Sequence, residues 1–110
     1  MAKINIDELL KQMLAAAAKP FKKQWPGAKD YAESEFKKIA ESIVFIESQL
    51  ALGKMTPEQA RLHLDVQKNA SRTVLLTIEG LGILTVEAAI NAALGVIRDT
   101  VNTALGFVLL

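Results

Sequence analysis

The chain has 110 residues, which corresponds to one domain spanning residues 1–110 and is long enough to bury a core. Apolar residues make up 51% of the sequence but aromatic residues only 5%, so Ala, Leu, Ile and Val have to supply that core. The formal net charge of +1 is far from the basic balance that nucleic-acid binding usually needs, and the absence of Cys excludes disulfides and thiolate metal sites.

The charge is distributed unevenly. Up to Arg72 the sequence has 12 Lys and Arg against 9 Asp and Glu, whereas the remainder has 1 against 3 and is markedly apolar. Near the start, Asp7 and Glu8 stand where a secretory signal would carry basic and then apolar residues. We therefore expect no signal peptide or organelle presequence, and a cytoplasmic protein.

The first predicted helix spans about 6–19. Asn5 is placed to cap its free amides, with Glu8 as the reciprocal partner, and Pro20 predicts a stop or kink near Lys19. Apolar residues recur every three or four positions along it, at Ile6, Leu9, Leu10, Met13, Leu14 and Ala17. A turn is then predicted at Pro26-Gly27.

The second predicted helix, about 28–52, has the most regular periodicity in the chain. Its apolar residues alternate steps of four and three, which is the heptad pattern of a helix that packs on a partner: Ala32, Phe36, Ile39, Ile43, Ile46 and Leu50. Gly53 is placed to end this helix.

The third predicted helix, about 57–79, begins with Thr56-Pro57-Glu58-Gln59. Thr is favoured at the N-cap, Pro at the first helical position and Gln as the partner of a capping box. Because the connection to the second helix is so short, the two helices are expected to form an antiparallel helical hairpin.

Two readings are open at Gly80-Leu81-Gly82. The glycines predict a break that leaves a fourth helix at about 83–108, and hence an all-α bundle of three to four amphipathic helices. Alternatively, the last two helices are one rod from Pro57 to near Val108, about 78 Å long. A rod of that length would need other copies to cover it, so this reading implies an oligomer.

The last segment has apolar residues along one face and polar residues along the other, which is typical of a helix packed in water. We expect this apolar stripe to be the interaction surface, buried against other copies or a partner protein; its residues are Ile83, Val86, Ile90, Leu94, Ile97, Val101 and Val108. Within a continuous helix Glu79 would join the stripe as a buried polar residue, with Arg98 or Asn91 as partner. If the helix ends at Gly80, Glu79 is an ordinary terminal residue.

Little in the sequence points to chemistry. His63 is the single histidine, and Ala60 stands where a Glu-x-x-His metal motif requires Glu. Phosphate loops, nucleophile elbows and zincin motifs are missing from the sequence. We therefore expect no catalytic, cofactor-binding or metal-binding residues, no cofactor and no small-molecule substrate.

Lys19, Lys22 and Lys23 surround Phe21 and Trp25 in a small basic and aromatic cluster. Such a cluster suits an anionic membrane surface, but three lysines are a weak footprint for nucleic acid. The apolar segment from 73 to 97 is long enough to cross a bilayer, yet two Glu offset its insertion energy of about −4 to −7 kcal/mol.

Taken together, these features predict a non-enzymatic helical protein that self-associates through its apolar C-terminal helix. The alternative is a helical protein that binds a membrane surface or an apolar ligand.

Overall fold

The computed structural model describes residues 4–110, and within that range all regular secondary structure is helical. Helix α1 spans Ile6–Phe21, a short 3-10 turn covers Lys22–Gln24, α2 spans Trp25–Ala51, α3 spans Pro57–Leu75 and α4 spans Ile83–Leu105. The predicted all-α class is confirmed.

Two predicted helix starts are confirmed at the atomic level. The side chain of Asn5 accepts a hydrogen bond from the Glu8 amide at 3.0 Å. At α3 the capping box is complete, since the Gln59 amide donates to the Thr56 hydroxyl at 3.1 Å and the Thr56 amide donates to the Gln59 side chain at 2.9 Å. These interactions satisfy amides that the first turn of a helix leaves without intrahelical partners.

Pro20, inside α1, and Pro26, at the start of α2, disturb the helices less than predicted. Helix α1 runs through Pro20 to Phe21, where burial of the Phe21 ring offsets the loss of one amide donor. Pro26 lies in the first turn of α2, where no amide donor is needed, so Pro26-Gly27 is helical rather than a turn. The actual bend is at Lys22, whose φ is 52°.

The predicted ends of the last two helices are too late. Helix α3 ends at Leu75, four residues before the predicted end, and α4 ends at Leu105 rather than near 108. Gly106 ends α4 in the left-handed region, with φ 81° and its amide donating to the Asn102 carbonyl. This is the common glycine end of a helix.

The continuous helix from Pro57 to Val108 is wrong, because residues 76–82 form a connection between α3 and α4. Gly80 adopts φ 86°, which interrupts a right-handed helix. The connection is apolar because it contributes to the core: Leu81 is buried, with 8% of its surface exposed, and Ile78 packs against the core.

Helix α1 packs extensively on both α4 and α2, and α2 also packs on α3, whereas α3 and α4 touch only slightly. The core is continuous through all four helices. The molecule is elongated, with principal dimensions of 43 × 22 × 19 Å. The α3–α4 connection meets the turn between α1 and α2 at one end, where the Gln24 side-chain amide donates to the Gly80 carbonyl.

Candidate interaction surfaces

The predicted interaction stripe of α4 lies mostly inside this chain. Val86, Ile90, Ile97 and Val101 are fully buried and Leu94 is 8% exposed. Helix α1 is the main neighbour of α4 and offers its own buried face of Leu9, Met13 and Ala17. The interpretation of these five residues as a surface for other copies therefore needs correction, because the chain covers them itself.

The two ends of the predicted stripe are exposed, Ile83 at 57% and Val108 at 65%. Ile83 begins α4 and Val108 lies in the tail after it. They are separated by the length of the helix, so they belong to two different surfaces.

Glu79 is exposed and lies beyond the end of α3, which corresponds to the reading of an ordinary residue past a helix end and not to that of a buried polar residue. Its proposed partners Arg98 and Asn91 are exposed side chains of α4, and both line a cleft with α3 rather than facing Glu79. The break at residues 76–82 explains the difference, because it removes Glu79 from the helical register of α4.

The buried polar residues lie instead between α2 and α3. Glu35 is 3% exposed and its carboxylate binds the Lys38 ammonium at 3.0 Å. Ser71 is fully buried, its hydroxyl donates to the Glu35 carbonyl at 3.4 Å, and the Gln67 amide donates to the hydroxyl at 3.2 Å. The sequence carries a signal for Glu35, which lies three residues after Ala32 and four before Ile39 on the apolar face.

A surface on the outside of α2 and α3 exposes large apolar side chains. Phe45 is 47% exposed, Leu52 61%, Leu62 65% and Val66 70%. His63 lies between them, with its ring 5.3 Å from that of Phe45. We call these five residues, together with Met55, the hairpin face.

Two shallow grooves run across the hairpin face and meet at His63. One, of about 350 Å³, is lined by Lys38, Glu41, Ser42, Phe45, His63 and Gln67. The other, of about 400 Å³, is lined by Lys54, Met55, Gln59, Leu62, His63 and Val66. Phe45, Met55, Leu62 and Val66 therefore line two adjoining grooves and are not isolated side chains.

The hairpin face could have been recognised from the sequence. Leu62 and Val66 are four residues apart and share one face of α3, whereas Leu64 and Leu75 belong to the buried face. Two residues along an α-helix turn the side chain by about 200°, so Leu62 and Leu64 cannot both face the core. Helix α3 therefore has apolar residues on two faces, of which the Leu64 face is buried and the Leu62 face is exposed.

A smaller cleft of about 190 Å³ separates α3 from α4. The tail after α4, residues 106–110, lines one side of this cleft with Leu109 and Leu110. The amides of these two residues donate to the Asn102 side chain at 2.9 and 3.0 Å. Arg61 holds the tail from the other side by donating to the Val108 carbonyl at 3.0 Å. This cleft is thus partly filled by the chain's own C-terminal residues.

The predicted basic and aromatic cluster is displayed at the end of the molecule where α1 meets α2. Lys19, Lys22 and Lys23 are exposed. The half-buried Trp25 stacks on the buried Phe21 with ring centroids 5.6 Å apart. Aromatic burial fixes this turn and leaves the three ammonium groups in solvent.

Over residues 4–110 no three or more His, Cys, Asp and Glu side chains gather in a group that could hold a metal ion. His63 is exposed and contacts Phe45 on the hairpin face. In the same range no helix combines the length and the apolar character needed to cross a membrane.

The chain matches no known family model, no curated protein and no solved structure. A functional proposal therefore depends on the exposed surfaces. Of these, the hairpin face places the exposed Phe45, Leu62 and Val66 around two grooves that share His63.

Proposed function

We propose that this chain is a non-enzymatic helical interaction protein that self-associates, and that the hairpin face is the surface through which two copies meet. The observation that carries the proposal is the exposure of Phe45, Leu62 and Val66, between 47% and 70%, around two grooves that share His63. Contiguous apolar surface of this kind marks interaction sites in proteins. The α4 stripe has no part in the contact, because α1 covers it.

A second copy suits this surface because the charges at its two ends are self-complementary. Glu41 lines one end and Lys54 lines the other, whereas Lys38 at the first end is already paired with Glu35. A two-fold axis through the centre places the first end of one copy over the second end of the other. Lys54 of each copy then meets Glu41 of the other copy, and the apolar side chains meet between them.

The size of the hairpin face predicts a weak association. From Lys38 to Leu52 the surface is about 21 Å long, and two adjacent helices are about 20 Å wide, so it covers about 400 Å² in projection. That is comparable to the largest apolar patches of monomers and below the roughly 800 Å² per partner of a standard interface. We expect a dissociation constant in the micromolar range.

The test is the native mass of the whole chain, measured by size exclusion with light scattering from about 10 μM to about 1 mM, a range that brackets micromolar affinity. The mass should rise with concentration. Val66→Glu should hold the chain at the monomer mass, because a carboxylate would have to be buried between the copies.

Val96→Glu is the matched control, since Val96 is an exposed valine of α4, at 47%, outside the hairpin face. This variant should associate like the parent chain. A parent that stays monomeric at the highest concentration would overturn the proposal. So would association that Val96→Glu abolishes while Val66→Glu preserves it.

A further inference from the structure

The end of the molecule opposite the C-terminal tail combines exposed apolar and basic side chains. We call it the tip and define it as residues 19–25 together with residues 76–84. In its apolar part Leu84 is 83% exposed, Ile83 57% and Leu76 37%. Leu81 lies beneath them in the core, so the connection that carries them is anchored from inside.

The basic part of the tip is the turn with Lys19, Lys22 and Lys23, all exposed. Within residues 4–110 none of these three lysines takes part in an ion pair, the pairs of that range being Lys38 with Glu35 and Arg72 with Glu87. Their positive charges are therefore available to an anionic partner.

The fold brings the two parts together although they are about 60 residues apart in sequence. The Gln24 amide donates to the Gly80 carbonyl, and a Cβ atom on Gly80 would lie 3.0 Å from that nitrogen. Gly80 thus allows the α3–α4 connection to approach the basic turn closely. Trp25, whose indole has an apolar body and a polar edge, stands half-buried at the same end.

We propose that the tip docks on an anionic lipid surface. Leu84 and Ile83 enter the headgroup region, while Lys19, Lys22 and Lys23 lie against lipid phosphates and carboxylates. Exposed apolar side chains at the same end of a molecule as lysines and an indole are the chemistry of peripheral membrane attachment. This inference is independent of self-association, because the tip and the hairpin face share no residue.

Other charges at the tip reduce its positive field without reversing it. Glu79 is exposed on the same connection and opposes one lysine. Glu87, in the first turns of α4, is neutralised by its ion pair with Arg72. Against nucleic acid the same surface would leave Leu84 and Ile83 in water, which is why lipid is the favoured partner.

The experiment is co-sedimentation of the whole chain with vesicles of phosphatidylcholine alone and of phosphatidylcholine mixed with phosphatidylserine. Binding should require phosphatidylserine and weaken with salt, since it depends on screened charges. Trp25 is the only tryptophan of the chain, so its emission should shift to the blue when the mixed vesicles are added.

Two variants separate the apolar and the electrostatic contributions. Leu84→Ser should weaken binding about tenfold, because the leucine no longer leaves water. Lys19→Gln with Lys23→Gln should weaken it about 25-fold, at about fivefold for each cation near an anionic surface. Both changes affect exposed side chains, and a far-ultraviolet dichroism spectrum should show unchanged helix content.

Matched controls are Val96→Ser, an exposed valine of α4 outside both surfaces, and Lys11→Gln with Lys37→Gln, exposed lysines outside the tip. These should bind like the parent chain. Failure of the parent to sediment with mixed vesicles would overturn the inference, as would equal losses in the tip variants and the controls. Retention on heparin or DNA without vesicle binding would identify nucleic acid as the partner and also overturn it.

Discussion

Helices α3 and α4 both have regularly spaced apolar residues, but the exposure of these residues differs. On α4 Ile90 and Ile97 are completely buried under α1, whereas on α3 Leu62 and Val66 are 65% and 70% exposed. The difference lies in the neighbours, since α1 packs along α4 while no element of residues 4–110 covers the outer side of α3. Spacing shows which side chains share a helix face, and only the packing shows which face is covered.

The largest expected difference between the two helices comes from shortening one apolar side chain in each. Ile97→Ala removes a fully buried side chain and should lower the free energy of unfolding by about 2–5 kcal/mol, because it loses apolar burial and leaves a cavity. Leu62→Ala should change it by no more than about 0.5 kcal/mol, since the side chain is already in water.

Chemical denaturation at a concentration where the chain is monomeric measures both values. Similar losses for the two variants would contradict the distinction between a covered and an uncovered face. A large loss for Leu62→Ala alone would reverse it.

A smaller effect on stability is expected at the helix starts, where α1 and α3 should behave alike. Asn5→Ala at α1 and Thr56→Ala at α3 each remove a side-chain acceptor for an amide of the first turn. Each should lower the free energy of unfolding by about 1 kcal/mol, because a cap is a local interaction. Thermal unfolding followed by circular dichroism measures the change.

Thr56→Ser keeps the hydroxyl and should restore most of the stability lost in Thr56→Ala. If Asn5→Ala were several times more damaging than Thr56→Ala, the contribution of a cap would depend on the packing of its helix, and the equivalence would fail.

The smallest effect is expected where α3 and α4 meet. Arg72 of α3 forms an ion pair with Glu87 of α4, and about a quarter to a third of each side chain is exposed, 26% and 34%. Solvent screens such a pair, so Arg72→Gln should cost less than about 1 kcal/mol.

The cost should fall further in high salt, which weakens the pair in the parent chain as well. Urea unfolding of the parent and of Arg72→Gln at low and high salt measures both effects. A loss that salt does not reduce would indicate packing by the arginine stem rather than charge.

Much of the fold could be predicted from short stretches of sequence because the responsible interactions are local. The capping residues at Asn5 and Thr56 act on amides three positions away, and the heptad spacing from Ala32 to Leu50 defines one face of α2. Helix ends were harder, because burial of Phe21 extends α1 past Pro20 and Gly106 ends α4 early.

The candidate surfaces were predicted less well. Of the seven residues of the expected stripe, Ile83 and Val108 alone are exposed, and Ile83 now belongs to the tip. The basic cluster at Lys19, Lys22 and Lys23 was visible in the sequence, but the apolar part of the tip, with Leu76 and Leu84, comes from the other half of the chain. A contact such as that of Gln24 with Gly80 joins residues far apart in the chain, and no spacing pattern in the sequence predicts it.

The amino-acid sequence by itself determined that the chain forms amphipathic helices and where α1 and α3 begin, and it left open whether the glycines interrupt the apolar second half. These properties depend on propensities and hydrogen bonds that reach no further than four residues. The tertiary structure alone decided that α1 covers α4, that Phe45, Leu62 and Val66 stay in solvent, and that the basic turn contacts the α3–α4 connection through Gln24 and Gly80. The hydrophobic effect has no direction, so it requires each apolar face to be covered without specifying by which helix.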